Sequence, residues 1–243
     1  MSPNRLTTCS KGMIVLLAIL AFSGGTGRAS GPALPSVSAD RGEFVISMEG
    51  RKVGTESFEI RPSADGVEAT ATIHYRLRQE GKTAEYTTSP RLVLTPGLIA
   101  QTYSWAQKGP QSSSLEVDFR TSPAKVLYHT LDGASDQREF QLLKDVVVID
   151  NNVFHHFQLL VDRYRMTDGG KQTFAAFVPQ DASPGQVTIE DTGKEQAKTL
   201  GRHGNLDHLL VTTDLMQIDL WVDEQSRVQR VAIPSAKIEA VRK

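Results

Sequence analysis

The chain reads as a mainly β protein: a long curved antiparallel sheet, or half-barrel, with one main helix packed on its concave face. Three observations predict the antiparallel sheet and the helix. Val67, Ala69, Ala71, Ile73, Tyr75 and Leu77 alternate with Glu68, Thr70, Thr72, His74, Arg76 and Arg78. That period of two gives one apolar and one wet face, and parallel strands are covered on both faces, so the sheet is antiparallel. Turn residues recur roughly every 10 residues, as in a meander. Against this background Asp150–Met166 (DNNVFHHFQLLVDRYRM) has a different period. Val153, Phe154, Phe157, Leu160, Val161 and Tyr164 form one stripe on a 3.6-residue repeat, which is a helix over residues 151–166.

Residues 1–29 have the form of a secretory signal. Arg5 and Lys11 precede the apolar core Met13–Phe22, and Gly27 and Ala29 supply small residues for a cut after Ala29. A cut after Gly25 is the alternative. The apolar core is too short to span a bilayer comfortably. Residues 30–41 (SGPALPSVSADR) read as a linker, and one β-rich domain follows over 42–243.

Phe44, Ile46 and Met48 begin the first strand, and Gly50–Lys52 turn into Val53–Ile60. Pro62–Gly66 (PSADG) is a strong turn ahead of the long strand Val67–Leu77. Strands are expected at Ala84–Leu94, Leu98–Ala106, Ser113–Arg120, Lys125–Leu131, Gln137–Leu143 and Val146–Ile149. Asp150 or Asn151 is placed to cap the helix, and Asp168, Gly169 and Gly170 to stop it. Beyond it come strands at Gln172–Val178, Gln186–Glu190, Leu209–Val222, Arg227–Ile233 and Lys237–Val241. Residues 191–208 are polar and ambiguous between loop and strand.

The single cysteine, Cys9, leaves with the signal, so the mature chain has no thiol for a disulfide, a thiolate zinc site or a nucleophile. The whole chain carries 27 basic and 28 acidic residues. Removing Arg5, Lys11 and Arg28 leaves a mature chain near −4. No basic patch runs through it, so nucleic acid is not an expected partner.

Catalytic motifs are sparse. There is no G-x-S-x-G, P-loop or G-x-G-x-x-G pattern. His155 and His156 are adjacent, hence about 100° apart on a helix, and lack the i, i+4 spacing of a two-histidine metal site. His203, Asp207 and His208 share a Gly-containing stretch that is a second candidate for weak metal binding, without a third ligand of matching spacing. His74 and His129 belong to wet strand faces, Asp162 and Arg163 to a solvated helix face, and Tyr164 and Trp221 to the core or its rim.

A family resemblance rests on Val53-Gly54-x-Glu56-x-Phe58, Asp150-Asn151-Asn152, Phe177-Val178-Pro179-Gln180, Leu220-Trp221-Val222-Asp223 and Arg227-Val228-x-Arg230-Val231. On these the chain resembles exported bacterial β-rich domains of unknown function, with a half-barrel sheet around a helix as in the periplasmic lipoprotein-carrier proteins. The resemblance covers most of the mature chain and implies that fold. The carriers bind acyl chains between sheet and helix, so it also implies an apolar ligand.

The expected function is therefore non-catalytic binding of an apolar ligand or lipid in the periplasm or outside the cell, with no cofactor. The expected lining is Phe154, Phe157, Val161 and Tyr164 from the helix with Ile73, Tyr75 and Phe119 from the strands. The alternatives are an envelope assembly protein that binds another protein, and a metal-assisted hydrolase using His155 or His156 with Asp150.

Overall fold

The alternating runs become a single sheet that curls round the helix. A computed structural model describes residues 37–79, 82–130, 133–167, 169–200 and 202–243. The expected signal, most of the expected linker and the helix-stopping Asp168 lie outside the described residues.

The first arm of the sheet is β1 (Asp40–Met48), β2 (Arg51–Pro62), β3 (Val67–Gln79), β4 (Lys82–Thr88), β5 (Arg91–Leu94), β6 (Ala100–Lys108), β7 (Ser113–Asp118), β8 (Ala124–His129) and β9 (Ser135–Phe140). The second arm is β10 (Val147–Val148), β11 (Gln172–Val178), β12 (Ser183–Thr199), β13 (Arg202–Thr213), β14 (Gln217–Val222), β15 (Val228–Ile233) and β16 (Ile238–Arg242). Helix α1 (His155–Arg165) lies between β10 and β11 in the chain.

The arms join through their terminal strands. β16 pairs antiparallel with β1 from Phe44↔Arg242 to Met48↔Ile238. The order is β10-β11-β12-β13-β14-β15-β16-β1-β2-β3-β4-β6-β7-β8-β9, with β5 bridging β3 and β6. Neighbours are antiparallel, save for the short parallel pair β10–β11. The beginning and end of the described chain therefore meet in mid-sheet, and the outer ends of the arms are consecutive in sequence.

Those outer ends are also close in space. Phe177 of β11 packs its ring against Phe140 of β9 at 5.1 Å and against Phe119, just past β7, at 6.2 Å. The Tyr128 hydroxyl of β8 donates to the Pro179 carbonyl at 2.9 Å. Side chains, not a ladder, bridge the seam of this half-open barrel.

Helix α1 occupies the interior. Eight of its 11 residues are buried, His155–Val161 and Tyr164. The expected apolar stripe is present, but so is cover on the other faces, as expected for an enclosed helix. Gln158 shows how polar atoms are satisfied there: its Nε2 donates to Ser226 O at 2.8 Å and its Oε1 accepts from Val228 N at 2.8 Å.

Several boundaries differ from the sequence reading. The helix starts at His155, not near 151, because Asn152 takes a left-handed φ of 58° and keeps the preceding residues in a turn. Residues 191–199 and 202–208 belong to the long strands β12 and β13, and β1 begins at Asp40 with Val37 already packed into the core. Asp162 is not on a solvated face. It is half-buried, accepts from Gln158 Nε2 at 2.9 Å, and burial pushes its carboxyl up to about 6.

Candidate functional site

Strand β2 puts Glu56, Phe58 and Ile60 on one inward face. Two of these are ordinary core residues. The third is a carboxylate with no exposed surface. Its partner is the start of α1. Glu56 Oε2 accepts from Phe154 N at 2.7 Å, and Oε1 accepts from His155 N at 2.8 Å and from His155 Nδ1 at 2.7 Å. Orphan amides at a helix N-terminus favour an anion, and here a distant strand supplies it. Phe154 is the N-cap residue and makes no side-chain cap bond, so neither Asp150 nor Asn151 performs the capping expected of them.

Asp150 has another task. Its carboxylate accepts from Tyr103 Oη at 2.6 Å, Gln180 N at 3.0 Å and Asn151 N at 3.0 Å. Burial raises its pKa, and those hydrogen bonds pull it down. The Tyr75 hydroxyl donates to Asn152 O at 2.7 Å, and Gln180 Nε2 donates to Asn151 O at 3.0 Å. Thus the Asp150-Asn151-Asn152 turn is held by β3, β6 and the short 3-10 turn Pro179–Asp181.

His155 and His156 are fully buried. His156 Nδ1 accepts from Asp150 N at 3.2 Å, which leaves the proton of a neutral ring on Nε2. Burial, and then His155, drive the His156 pKa well below its ordinary value. A ring series crosses the barrel: Phe44–Phe58 at 5.3 Å, Phe58–His155 at 5.9 Å, His155–His156 at 4.8 Å and His156–Tyr103 at 5.6 Å. The Nε2 atoms of both histidines are buried without a hydrogen-bond partner.

The expectation that His155 or His156 acts with Asp150 on a substrate meets this geometry. The imidazoles have no exposed surface, and their Nδ1 atoms are engaged in fixing the helix. Among the described residues no three His, Cys, Asp or Glu side chains converge to hold a metal ion. The second candidate group is divided for a simple reason. Asp207 and His208 are successive strand residues and face opposite ways. Asp207 takes Arg165 at 3.0 Å, whereas His208 stacks on Trp221 at 5.1 Å and meets Asp219 at 2.9 Å. His203 lies an odd number of residues from His208 and so shares the Asp207 face.

Above the Asp150–Asn152 turn the barrel opens into a cleft of about 230 Å³. Tyr75, Tyr86 and Trp105 supply its aromatic wall, and Ile46, Val53, Leu77 and Ile238 are among its aliphatic groups. Asn151, Asn152 and Gln180 line the floor side, with Gln107, Gln111 and Thr88 completing the polar lining. Of the residues expected to line a ligand space, only Tyr75 does so here. Phe154, Phe157, Val161, Tyr164 and Ile73 are buried in the continuous core, and Phe119 packs on its edge. Their places are filled because α1 runs inside the barrel and brings them against the strands. The sequence reading named Glu56 only within a fold signature and gave it no role, though a signal was present: a carboxylate in phase with Phe58 and Ile60.

No family model matches the chain, and no curated protein matches it. Among solved structures it is similar to the β-barrel-like protein of domain of unknown function DUF1849 from Brucella abortus. The TM-score is 0.56 at 8% identity, over 86% of this chain and 96% of that one. That likeness is one of fold. A DUF1089 family protein from Pseudomonas aeruginosa matches with a TM-score of 0.44 at 14% identity, over 72% of this chain and 87% of that one, too slight to bear on the argument.

Proposed function

We propose that this is a non-catalytic binding protein of the bacterial envelope, and that it takes the end of an apolar chain into the cleft above the Asp150–Asn152 turn. The observation that carries the reading is the cleft itself. Eight of its 14 lining residues are aromatic or aliphatic, and the other six are neutral polar groups, so its surface is mixed. Small-molecule sites likewise combine apolar side chains with polar groups that fix orientation. At about 230 Å³ it is smaller than the roughly 300 Å³ at which pockets begin to hold a drug-sized ligand. A head group and the first few carbons of its chain fit that space, with the remainder of the ligand outside. The export signal read at residues 1–29 and the likeness to lipoprotein carriers support the compartment and the apolar ligand.

Trp105 lines the cleft and Trp221 stacks on His208 away from it. In a Trp221→Phe background, Trp105 fluorescence reports occupancy. Titration with straight-chain amphiphiles of six to twelve carbons should give a saturable change, and Val53→Phe should weaken it by filling the cleft. No saturable change up to high micromolar ligand, across the whole series, would reject this function.

A further inference from the structure

We infer that the cleft selects ligands whose inserted end carries no formal charge: alcohols and esters over fatty acids, lysophosphates or alkylamines. This rests on the cleft being the ligand site. Among the described residues, none of the lining side chains is Asp, Glu, Lys, Arg or His. A charged head entering there gives up water and gains no ionic partner.

The helix N-terminus is the feature that might have provided an anion site, since its free amides and dipole attract negative charge. It is already filled. The Glu56 carboxylate holds the amides of Phe154 and His155 and leaves them nothing to offer a ligand. Under the floor lies a second carboxylate, Asp150, which makes the approach less favourable still for an anion. Asp150 does not serve a cation either, because it is 4% exposed and already accepts from Tyr103, Asn151 and Gln180. On the outer face nearby, Arg76 and Glu85 neutralise each other at 2.6 Å.

What remains for the head group is a set of amides. Asn151, Asn152, Gln180, Gln107 and Gln111 each carry two N–H donors and a carbonyl acceptor on one side chain, of which Gln180 Nε2 spends one N–H on Asn151 O and Gln107 Nε2 one on Gln111 O. A hydroxyl, which donates and accepts, or an ester, which accepts, can be met by such groups without a charge on either partner. The same side chains leave a carboxylate or phosphate unneutralised.

The test uses the full chain with Trp221→Phe at pH 8, where decanoate is anionic and decylamine cationic. Decanol, decanoate and decylamine are titrated below their aggregation limits, with Trp105 fluorescence as the readout. Decanol should bind at least about tenfold more tightly than either charged ligand. Gln111→Lys, at an exposed position and with a circular dichroism spectrum that matches the parent, should improve decanoate about fivefold or more relative to decanol. Decanoate or decylamine binding as tightly as decanol would overturn the selectivity while the cleft remained a ligand site. An unchanged decanoate-to-decanol ratio in Gln111→Lys would overturn it as well. No saturable signal from any of the three would remove the binding function and this inference together.

Discussion

Glu56 holds three donors with one buried carboxylate, two of them backbone amides that a helix start cannot satisfy by itself. Glu56→Ala would strand all three in the core. Its cost should be about 3–5 kcal/mol, the scale for breaking a buried charged network. Glu56→Gln keeps the shape and one acceptor oxygen, so it should cost less, about 1–3 kcal/mol. Urea denaturation of both variants checks the order, and a Gln variant worse than the Ala variant would refute the capping role. Asp162 makes a prediction of opposite sign. Its folded pKa of about 6 lies above its ordinary 3.8, so the folded state holds the proton more tightly. This group's contribution to stability therefore declines as pH rises from about 4 to about 6 and stays unfavourable above. Asp162→Asn keeps an acceptor for Gln158 and removes the charge. After discounting for solvent screening at this half-buried site, it should stabilise the protein by about 1–2 kcal/mol at pH 8 and by nearly nothing at pH 3.5. Thermal melts at the two pH values decide it.

At the scale of the element, α1 is too short to be stable alone. An 11-residue helix spans about 16 Å and is marginal in water without tertiary packing. Its stability comes from burial of Phe157, Leu160, Val161 and Tyr164 and from bonds made by other elements at both ends. Glu56 holds the start. Near the far end, Arg163 Nη1 donates to Gly97 O at 2.6 Å, and Tyr164 Oη donates to Gly170 O at 2.9 Å. Phe157→Ala or Leu160→Ala should each cost about 2–5 kcal/mol, because the barrel wall cannot collapse onto the gap. Equilibrium unfolding that shows less than about 1 kcal/mol for both would mean that the barrel does not enclose this helix.

At the scale of the molecule, the last strand closes the middle of the sheet. β16 is hydrogen-bonded on both sides, to β15 and to β1. Arg242 reinforces the junction: Nη1 reaches Asp40 Oδ2 at 2.9 Å, and its guanidinium lies 5.2 Å from the centre of the Phe58 ring. Removing residues 236–243 would expose two strand edges inside the barrel wall, not one at its rim. The truncated chain should fail to fold cooperatively or should aggregate, which circular dichroism melts and size-exclusion chromatography will show. A truncated chain that melts within a few degrees of the full one would disprove that β16 closes the sheet.

Much of the architecture was legible from one dimension. Alternation at Val67–Leu77 specifies a strand with an inner and an outer face, and the 3.6-residue stripe at Val153–Tyr164 specifies the helix, because both periods are local backbone geometry. The strand and helix content and the antiparallel sheet followed from those periods and the turns between them, and the half-barrel was what the family resemblance implied. The site did not. Glu56 and His155 are 99 residues apart, and no local period announces that a carboxylate on one strand will cap a helix on the far side of the chain. The polar group was visible in an inward phase, but its partner was not. The expected ligand lining failed to form an open space for a related reason: periodicity tells which side of an element is apolar, but not what fills the volume beside it. The tertiary structure placed α1 inside the barrel, packed its aromatic residues into the core, and left the opening at the turn that precedes it.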